Sequence, residues 1–233
     1  MIKLVIFDFD DTIVDNSKLD YKSFVIPCKQ LGVSLPSKEY VIQMRRMGKL
    51  SGDIISTHLK KNKKPQILNE FLKIRTQFLH SLKVVNHLHL KKDTKSLLQE
   101  LKRDKIKCVL CSVRTNKQII LNFISKNKIQ KFFQEIILME DLGFKIDNSN
   151  ASNRTLVKSS LLNKIINENK IGKDQTLFIG NSIEDLEASR TMKIPFIYYQ
   201  NTYLENLLDN TVLKIRSMDS LKRKIQSLQK EVL

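Results

Sequence analysis

The chain begins with a short apolar run that ends abruptly in acidic residues. From Ile2 to Phe7 the residues are mostly β-branched or otherwise apolar, which is typical of a strand buried on both faces of a parallel sheet. Asp8, Asp10 and Thr12 follow at alternate positions, and alternate side chains of an extended chain leave on the same side. Two acids in one crevice repel each other unless a cation or a proton lies between them. The opening stretch therefore predicts a strand with a chemical site at its carboxyl end.

The order of the later segments indicates the fold around this strand. Beyond residue 91, helical and strand patterns alternate, and such alternation predicts an α/β fold with a doubly wound parallel sheet. Residues 16–90 carry helical spacing with breaks at Gly and Pro. We therefore expect an α/β core domain of residues 1–15 and 91–233, interrupted by an inserted α-helical domain of residues 16–90. Four further strands are expected at 106–112, 135–139, 176–179 and 195–199, with a final helix from residue 217.

Four segments carry a family resemblance. Asp8 to Thr12 resemble DxDxT, the first motif of the haloacid dehalogenase-like (HAD) superfamily of phosphatases. Ser112, at the end of an apolar run, matches the second motif, and Gly180 to Asp185 resemble the fourth motif, GDxxxD. The third motif is a lysine ahead of the fourth strand. The resemblance implies a Rossmann-type core with a helical cap between the first and second motifs, as in phosphoglycolate phosphatases and β-phosphoglucomutases.

Two lysines of the helix predicted from residue 155 are candidates for the third motif. At 100° per residue, Lys158 falls near the middle of the apolar stripe of this helix, whereas Lys164 falls on the opposite side. The stripe consists of Leu161, Leu162, Ile165 and Ile166. A lysine on a buried face needs an anionic partner or a route to water. We therefore expect Lys158 to pair with phosphate and with Asp8.

The fourth motif departs from the family pattern, because Asn181 stands where the first acid is usual. An amide oxygen can still bind Mg²⁺, but the site loses one negative charge and some affinity for the metal. Glu184 and Asp185 are both candidates to supply the missing charge. If Ile183 begins a helix, we expect Glu184 to face away from the site and Asp185 to be the metal ligand.

The resemblance implies Mg²⁺-dependent hydrolysis of a small phosphate monoester through an aspartyl-phosphate. Asp8 is the expected nucleophile, and Asp10 is expected to protonate the leaving alcohol and then to activate water. The expected metal ligands are the Asp8 carboxylate, the Asp10 backbone carbonyl, Asn181 and Asp185. The expected phosphate ligands are Ser112, Lys158 and Thr12. The candidate substrate contacts are Arg45, Arg46, Lys49 and Arg114.

Two other functions stay open from the sequence. A phosphosugar mutase would use the same Asp10 to return the phosphoryl group to a sugar. A non-catalytic, polyanion-binding member of the fold is compatible with Asn181 and with the basic composition. Turnover of a generic aryl phosphate with Mg²⁺ separates an enzyme from a binding protein.

The chain is strongly basic, with a formal net charge of +17. Residues 60–107 alone contain 14 Lys or Arg against 4 Asp or Glu, an excess that suits a polyanion. Phe71 and Phe78 are the only aromatic residues of that stretch, which disfavours a platform for stacking bases. We therefore expect a small phosphorylated metabolite as the ligand, and any nucleic-acid binding to be weak and mostly electrostatic.

The cysteine content and the length of the apolar runs allow a prediction of the cellular compartment. Three cysteines are an odd number, which argues against a disulfide framework. Cys108 and Cys111 lie three apart on a predicted strand and face opposite ways, so we interpret them as core thiols. Because no apolar run is long enough for a membrane span and the amino terminus enters a strand at once, we expect a soluble, cytoplasmic protein. The sequence makes no prediction of the oligomeric state.

Overall fold

The structure is a computed structural model that describes residues 1–46, 49–114, 116–143, 151–200 and 212–230. They form two compact units. One unit contains Met1–Asp15 and the described chain from Leu90 onward, and the other contains Asn16–His89. No helix among the described residues is long and apolar enough to cross a membrane.

Strands and helices fill most of the described chain. The strands are β1 (Leu4–Asp8), β2 (Val14–Asp15), β3 (His89–Leu90), β4 (Lys107–Ser112), β5 (Glu135–Leu138), β6 (Thr176–Gly180), β7 (Phe196–Tyr199) and β8 (Lys214–Ile215). The helices are α1 (Ser17–Gln30), α2 (Lys38–Arg46), α3 (Ser51–Lys61), α4 (Leu68–His80), α5 (Thr94–Arg103), α6 (Lys117–Lys126), α7 (Ala151–Asn169), α8 (Ile183–Met192) and α9 (Met218–Lys230).

The main sheet confirms the predicted fold class. Its strands lie in the order β5-β4-β1-β6-β7-β8, and every neighbouring pair is parallel. The first strand of the chain is therefore central, and each of its residues is buried. Strand β8 was not predicted, because its two residues are too few to carry a periodic pattern.

Side-chain alternation along β1 decides where its last residue points. Leu4 and Ile6 lie in a buried cluster on one face of the sheet, together with residues of α7 and α8. Asp8 continues the same alternation and therefore emerges on the α7 side. The helices α5 and α9 contact each other and contribute nothing to that cluster. This arrangement is the doubly wound one, with helices on both faces of the sheet.

The unit of Asn16–His89 is helical, as the periodicity of residues 16–90 predicts. It contains α1 to α4, which enclose a separate hydrophobic core. The buried members of that core are Phe24, Cys28, Val33, Val41, Ile54, Ile55, Leu59 and Phe71. The insertion therefore buries its own apolar side chains, as a domain does.

The start of α7 differs from the prediction, whereas the start of α9 agrees with it to within one residue. Helix α7 begins at Ala151, four residues before the expected position. Helix α9 begins at Met218, and the Ser217 hydroxyl accepts a hydrogen bond from the backbone N–H of Ser220 at 3.1 Å. Ser217 therefore caps α9, whereas Asp219 lies in its first turn.

The three cysteines are free, buried thiols. Burial raises the pKa of Cys28 to about 11 and the pKa values of Cys108 and Cys111 to about 12. Since the thiolate is the reactive form, we expect no modification of the folded protein by a thiol-specific disulfide reagent at neutral pH, and three thiols to react after denaturation. A thiol that reacts at the rate of free cysteine without denaturant would contradict this expectation.

Candidate active site

Three neighbouring strands end at one place in the sheet. Asp8, the last residue of β1, is paired in register with Cys111 of β4, so Ser112 lies just beyond it. On the other side Phe7 pairs with Ile179 of β6, which brings Gly180 and Asn181 to the same edge. The parallel pairing of central strands thus gathers residues that are far apart in the sequence, at the edge where ligands bind in open α/β sheets.

A cavity of about 170 Å³ opens at this edge. Its lining side chains are Asp8, Asp10, Asp11, Ser112, Val113, Arg154, Lys158, Asn181, Ser182, Glu184 and Asp185. Five of these residues are acidic and two are basic. The excess of carboxylates makes this cavity attractive to cations.

Lys158 lies between two buried carboxylates. Its ammonium is 2.5 Å from Asp8 Oδ1 and 3.0 Å from Asp185 Oδ1, and it is only 2% exposed. The lysine comes from α7, whose buried face packs on the same side of the sheet as Asp8. Burial works to lower the pKa of Lys158, but the carboxylates of Asp185 and Asp8 outweigh it and raise that pKa. Lys158 is therefore a positively charged partner of Asp8 at neutral pH.

One ammonium does not neutralise the carboxylates around it. Burial raises the pKa of Asp8 from 3.8 to about 8; Lys158 opposes this rise, whereas Asp185 and Asp10 add to it. Asp185 Oδ1 receives no aligned hydrogen bond although Lys158 is close to it. A buried site with surplus negative charge and an unsatisfied carboxylate oxygen is suited to a divalent cation.

The donors present are oxygen atoms, which Mg²⁺ prefers. Asp8, Asn181 and Asp185 carry side-chain oxygens and line the cavity, as does Asp10, whose backbone carbonyl is the ligand that the family resemblance implies. Among the described residues, no three His, Cys, Asp or Glu side chains form a metal-binding group by themselves. Amide, carbonyl and water oxygens would therefore have to complete the coordination. On donor chemistry the site fits Mg²⁺, the ion that the family resemblance implies.

Asp185 holds the turn that presents Asn181. Its Oδ2 accepts hydrogen bonds from the backbone N–H groups of Asn181 and Ser182 at 3.1 and 3.2 Å, and from the Ser182 hydroxyl at 2.8 Å. Ser182 in turn caps α8 by accepting from the Asp185 N–H at 3.1 Å. A Cβ at Gly180 would lie 2.6 Å from the Asp185 side chain, so glycine is needed there. One oxygen of Asp185 is thus structural, and Oδ1 is the oxygen that faces the site.

Thr12 connects the first and fourth motifs. Its hydroxyl lies 3.4 Å from Asp8 Oδ2 and 3.3 Å from Asn181 Oδ1, with geometry that lets it donate to either. Thr12 is fully buried. Thr12, which we expect to bind phosphate, therefore orients the side chains of Asp8 and Asn181, and its hydroxyl group can donate its proton to only one of them at a time.

Arg114, a candidate substrate contact, binds the carboxylate of Asp10. Its Nε is 3.2 Å from Asp10 Oδ2 and its Nη2 is 2.5 Å from Oδ1, the bidentate geometry of a strong pair. Its backbone N–H also donates to the Ser112 hydroxyl at 3.1 Å. Arg114 therefore fixes the carboxylate of Asp10 beside the second-motif serine.

The structure thus brings together the expected catalytic, metal-binding and phosphate-binding residues, namely Asp8, Asp10, Thr12, Ser112, Lys158, Asn181 and Asp185. The other expected substrate contacts belong to the helical unit. There Arg45 forms a bidentate pair with Asp20 at 3.0 and 2.7 Å and binds the Ser51 hydroxyl at 2.6 Å. Arg45 is therefore engaged within its own unit. Lys49 is exposed, and the Arg46 side chain lies outside the described residues.

Two residues of the rim were missed or misjudged from the sequence. Arg154 lines the cavity one helical turn before Lys158, and that i, i+4 spacing is a signal that sequence reasoning could have used. The expectation that Glu184 faces away is wrong, because Glu184 lines the cavity and lies 3.9 Å from Arg154. Both Glu184 and Asp185 belong to the first turn of α8, which begins at the cavity mouth, and Ile183 is the exposed member of that turn.

Comparison with known proteins gives the family. The family model for haloacid dehalogenase-like hydrolases matches residues 5–199. A HAD-superfamily hydrolase, subfamily IA, from Geobacter sulfurreducens has a TM-score of 0.72 at 17% identity, over 97% of this chain and 96% of that one. A haloacid dehalogenase-like family hydrolase from Streptococcus pneumoniae has a TM-score of 0.70 at 18% identity, over 97% and 99%.

A protein from Haemophilus somnus, named a predicted phosphoglycolate phosphatase, is similar in structure to the same degree. It has a TM-score of 0.70 at 17% identity, over 97% of this chain and 98% of that one. No curated protein matches the sequence. Because the family model covers most of the chain, from the second residue of β1 to the end of β7, the protein belongs to the haloacid dehalogenase-like hydrolase family.

Proposed function

We propose that the protein is a Mg²⁺-dependent phosphatase that hydrolyses a small phosphate monoester through an aspartyl-phosphate. The observation that carries the proposal is the pairing of Asp8 with Lys158, at 2.5 Å, beside the clamped carboxylate of Asp10. This arrangement supplies a nucleophile, a fixed cation and a second carboxylate at one strand edge. The structural likeness to a protein named a predicted phosphoglycolate phosphatase supports the same substrate class.

In the first half-reaction an Asp8 oxygen attacks phosphorus, and the bond from phosphorus to the ester oxygen breaks. Lys158 holds the attacking carboxylate and offsets the charge on the transferring phosphoryl oxygens, to which the Ser112 hydroxyl donates. A Mg²⁺ bound by Asp8, the Asp10 carbonyl, Asn181 and Asp185 would supply further charge neutralisation on those oxygens. The leaving alkoxide takes a proton from the Asp10 carboxyl group.

In the second half-reaction Asp10 acts in the opposite sense. Its carboxylate removes a proton from a water molecule that attacks the phosphorus of the aspartyl-phosphate, which releases inorganic phosphate and restores Asp8. Arg114 stabilises the charged form of Asp10 through its two contacts at 3.2 and 2.5 Å. Protonation of Asp10 in the first half-reaction therefore requires that this pair loosens when substrate binds.

The first test is phosphate release from an aryl phosphate such as p-nitrophenyl phosphate, with Mg²⁺ and with EDTA. We expect turnover with Mg²⁺ that EDTA abolishes and added Mg²⁺ restores. Absence of turnover across a panel of aryl and small-metabolite phosphates, by protein that is folded by circular dichroism, would contradict the proposal and favour a non-catalytic binding protein.

Asn181→Asp is expected to lower the Mg²⁺ concentration needed for half-maximal activity. Asn181 Oδ1 lies near Thr12, which also contacts Asp8, and a carboxylate there would bind the cation more tightly than a neutral amide. The measurement is a Mg²⁺ titration of initial rates. Glu184→Gln is the matched control at the cavity rim, where Glu184 is 29% exposed, and we expect it to change the requirement little. A stronger effect of Glu184→Gln than of Asn181→Asp would make Glu184 the compensating acid.

A further inference from the structure

Five lysines occupy a backbone conformation that glycine usually supplies. Lys63, Lys105, Lys128, Lys170 and Lys193 have φ angles of 57, 57, 55, 53 and 54°. Each lies within two residues of the end of a helix, namely α3, α5, α6, α7 and α8. Residues with a side chain are strained there, so helices commonly end on glycine. The chain does use glycine in this way at Gly32, just after α1, where φ is 58°.

The topology collects four of these lysines at one edge of the sheet. Lys105, Lys128, Lys170 and Lys193 lie in the connections that lead into β4, β5, β6 and β7. Because all these strands run parallel, their amino ends share one edge. The acidic cavity lies at the opposite, carboxyl edge. Lys63 belongs to the helical unit and is not part of this edge.

Four more lysines lie at the same edge. Lys3 precedes β1 and Lys107 begins β4, and the Lys107 N–H donates to the Lys3 carbonyl at 2.9 Å. Lys131 and Lys173 lie in the connections into β5 and β6. We define the lysine edge as Lys3, Lys105, Lys107, Lys128, Lys131, Lys170, Lys173 and Lys193.

The positive charge of the lysine edge is available to a partner. All eight side chains are exposed, and none forms an ion pair with a carboxylate in the described part of the chain. The acids in the same connections and strand starts are Asp104, Glu135 and Asp174, and Asp104 pairs with Arg103 instead. Eight lysines against three acids give this edge an excess of about five positive charges, which favours an anionic partner.

The basic run of residues 60–107 does not form this surface. The structure divides the run between the helical unit, up to His89, and the unit with the main sheet, from Leu90. Only Lys105 and Lys107 of that run belong to the lysine edge. The fold therefore builds a basic surface from residues that the sequence distributes between positions 3 and 193.

We propose that the lysine edge binds the phosphate backbone of a nucleic acid without reading its bases. The edge spans the five strands from β5 to β7 in sheet order, which at about 4.8 Å per strand is roughly 20 Å. A duplex carries one phosphate charge per about 1.7 Å of axis, so this length faces many phosphates. Phe132 and Phe133, in the connection into β5, are buried at 8% exposure. Phe196, which begins β7, is half-buried and packs against the cluster of buried residues on one face of the sheet. The edge therefore presents no platform for stacking on bases.

Glycine substitutions test the proposal without weakening the fold. In the quadruple variant Lys105→Gly, Lys128→Gly, Lys170→Gly and Lys193→Gly, each change relieves a left-handed backbone, so we expect a higher Tm than the parent protein. Affinity for a short duplex should fall, and the slope of log K against log salt should become less steep by about 3 to 4 for four lost phosphate contacts. Phosphatase activity should not change, because none of the four lines the cavity.

Two controls distinguish binding by the lysine edge from the effect of overall net charge and from the effect of relieving backbone strain. The variant Lys60→Gln, Lys61→Gln, Lys63→Gln and Lys64→Gln removes the same charge from the helical unit and should leave most of the affinity intact. Lys63→Gly alone should raise Tm and leave binding unchanged. Equal losses in the glycine and glutamine variants would overturn the proposal, since net charge alone would then explain binding.

The probes identify the class of polyanion. RNA and DNA duplexes of one sequence, and of a scrambled sequence, should bind with similar affinity, because backbone contacts carry little sequence information. Vesicles of anionic lipid are the competing probe at matched salt. Binding to vesicles but not to duplexes, or a preference for one sequence that survives high salt, would contradict the proposal.

Discussion

Asp8→Asn is expected to abolish phosphate release while raising the thermal stability of the metal-free protein. The amide cannot act as the nucleophile, so the aspartyl-phosphate cannot form. In the folded protein the Asp8 and Asp185 carboxylates share one ammonium at 2.5 and 3.0 Å. Removing one of two buried carboxylates relieves their repulsion, and Lys158 keeps Asp185 as its partner. Activity and stability are thus expected to change in opposite directions at this position.

The stability gain has a defined pH dependence. The folded-state pKa of Asp8 is raised by burial to about 8, against 3.8 for the free group. Between these pH values the folded protein holds a proton that the unfolded chain has lost, so the free energy of unfolding of the parent protein falls as pH rises. The contribution of Asp8 to the free energy of unfolding is therefore fully present below pH 3.8 and is lost as the pH rises to about 8. Asp8→Asn should remove this fall, so its advantage in Tm in EDTA should grow from pH 5 to pH 8.

Mg²⁺ gives a second readout that does not depend on turnover. A cation bound at the cavity stabilises the folded state by mass action, so added Mg²⁺ should raise the Tm of the parent protein and raise that of Asp8→Asn much less.

Asp10→Asn is the contrasting variant, because it keeps the nucleophile and is expected to accumulate phosphoenzyme, seen as a mass increase after acid quench. Turnover at the parental rate by folded Asp8→Asn would exclude the aspartyl-phosphate route.

The parts of the site that follow strand ends were predictable from the sequence. Alternation along β1 fixed the direction of Asp8, and helical periodicity placed Lys158 on the buried face of α7, where the structure has it. Ser112 and Asn181 come to Asp8 because parallel strands end at a common edge. Backbone geometry determines all of these positions, and the pattern of apolar residues reveals that geometry.

The side-chain partners were not predictable in the same way. Arg114 follows the end of β4, where periodicity no longer sets a direction, and its choice of Asp10 depends on rotamers of both residues. Arg45 is held by Asp20 of α1, a contact between helices that spacing along one helix does not reveal. The left-handed lysines were missed for another reason. Glycine and asparagine are the residues that signal this conformation, and lysine gives no such signal.

Lys158→Met is the substitution with the largest expected effect on the fold. Methionine retains most of the volume of the side chain, but Asp8 and Asp185 would be left buried without a cation, and removing one partner of a buried pair costs about 3–5 kcal/mol. Loss of the fixed positive charge should also lower kcat by about 10²- to 10³-fold. The measurements are urea unfolding in EDTA and initial rates at saturating Mg²⁺.

Lys164→Met is the matched control on the same helix. Lys164 pairs with Glu168 at 3.2 Å, with side-chain exposures of 34% and 44%, and an exposed i, i+4 pair contributes only about 0.3–0.5 kcal/mol. Lys164→Met should therefore leave both stability and kcat near the parental values. Equal effects of the two substitutions would mean that Lys158 is not the lysine of the site.

The double variant Lys158→Met with Asp8→Asn separates lost charge pairing from lost packing. If the destabilisation arises from uncompensated carboxylates, removing the Asp8 charge should recover part of the stability lost in Lys158→Met, and the two substitutions should show a coupling energy of at least about 1 kcal/mol. Methionine packing that simply fails in the core would instead give additive effects, so the double variant would show no coupling energy. Recovery of stability beyond the gain given by Asp8→Asn alone, without recovery of activity, would show that the cluster of Asp8, Lys158 and Asp185 is maintained for chemistry at the expense of the stability of the metal-free fold.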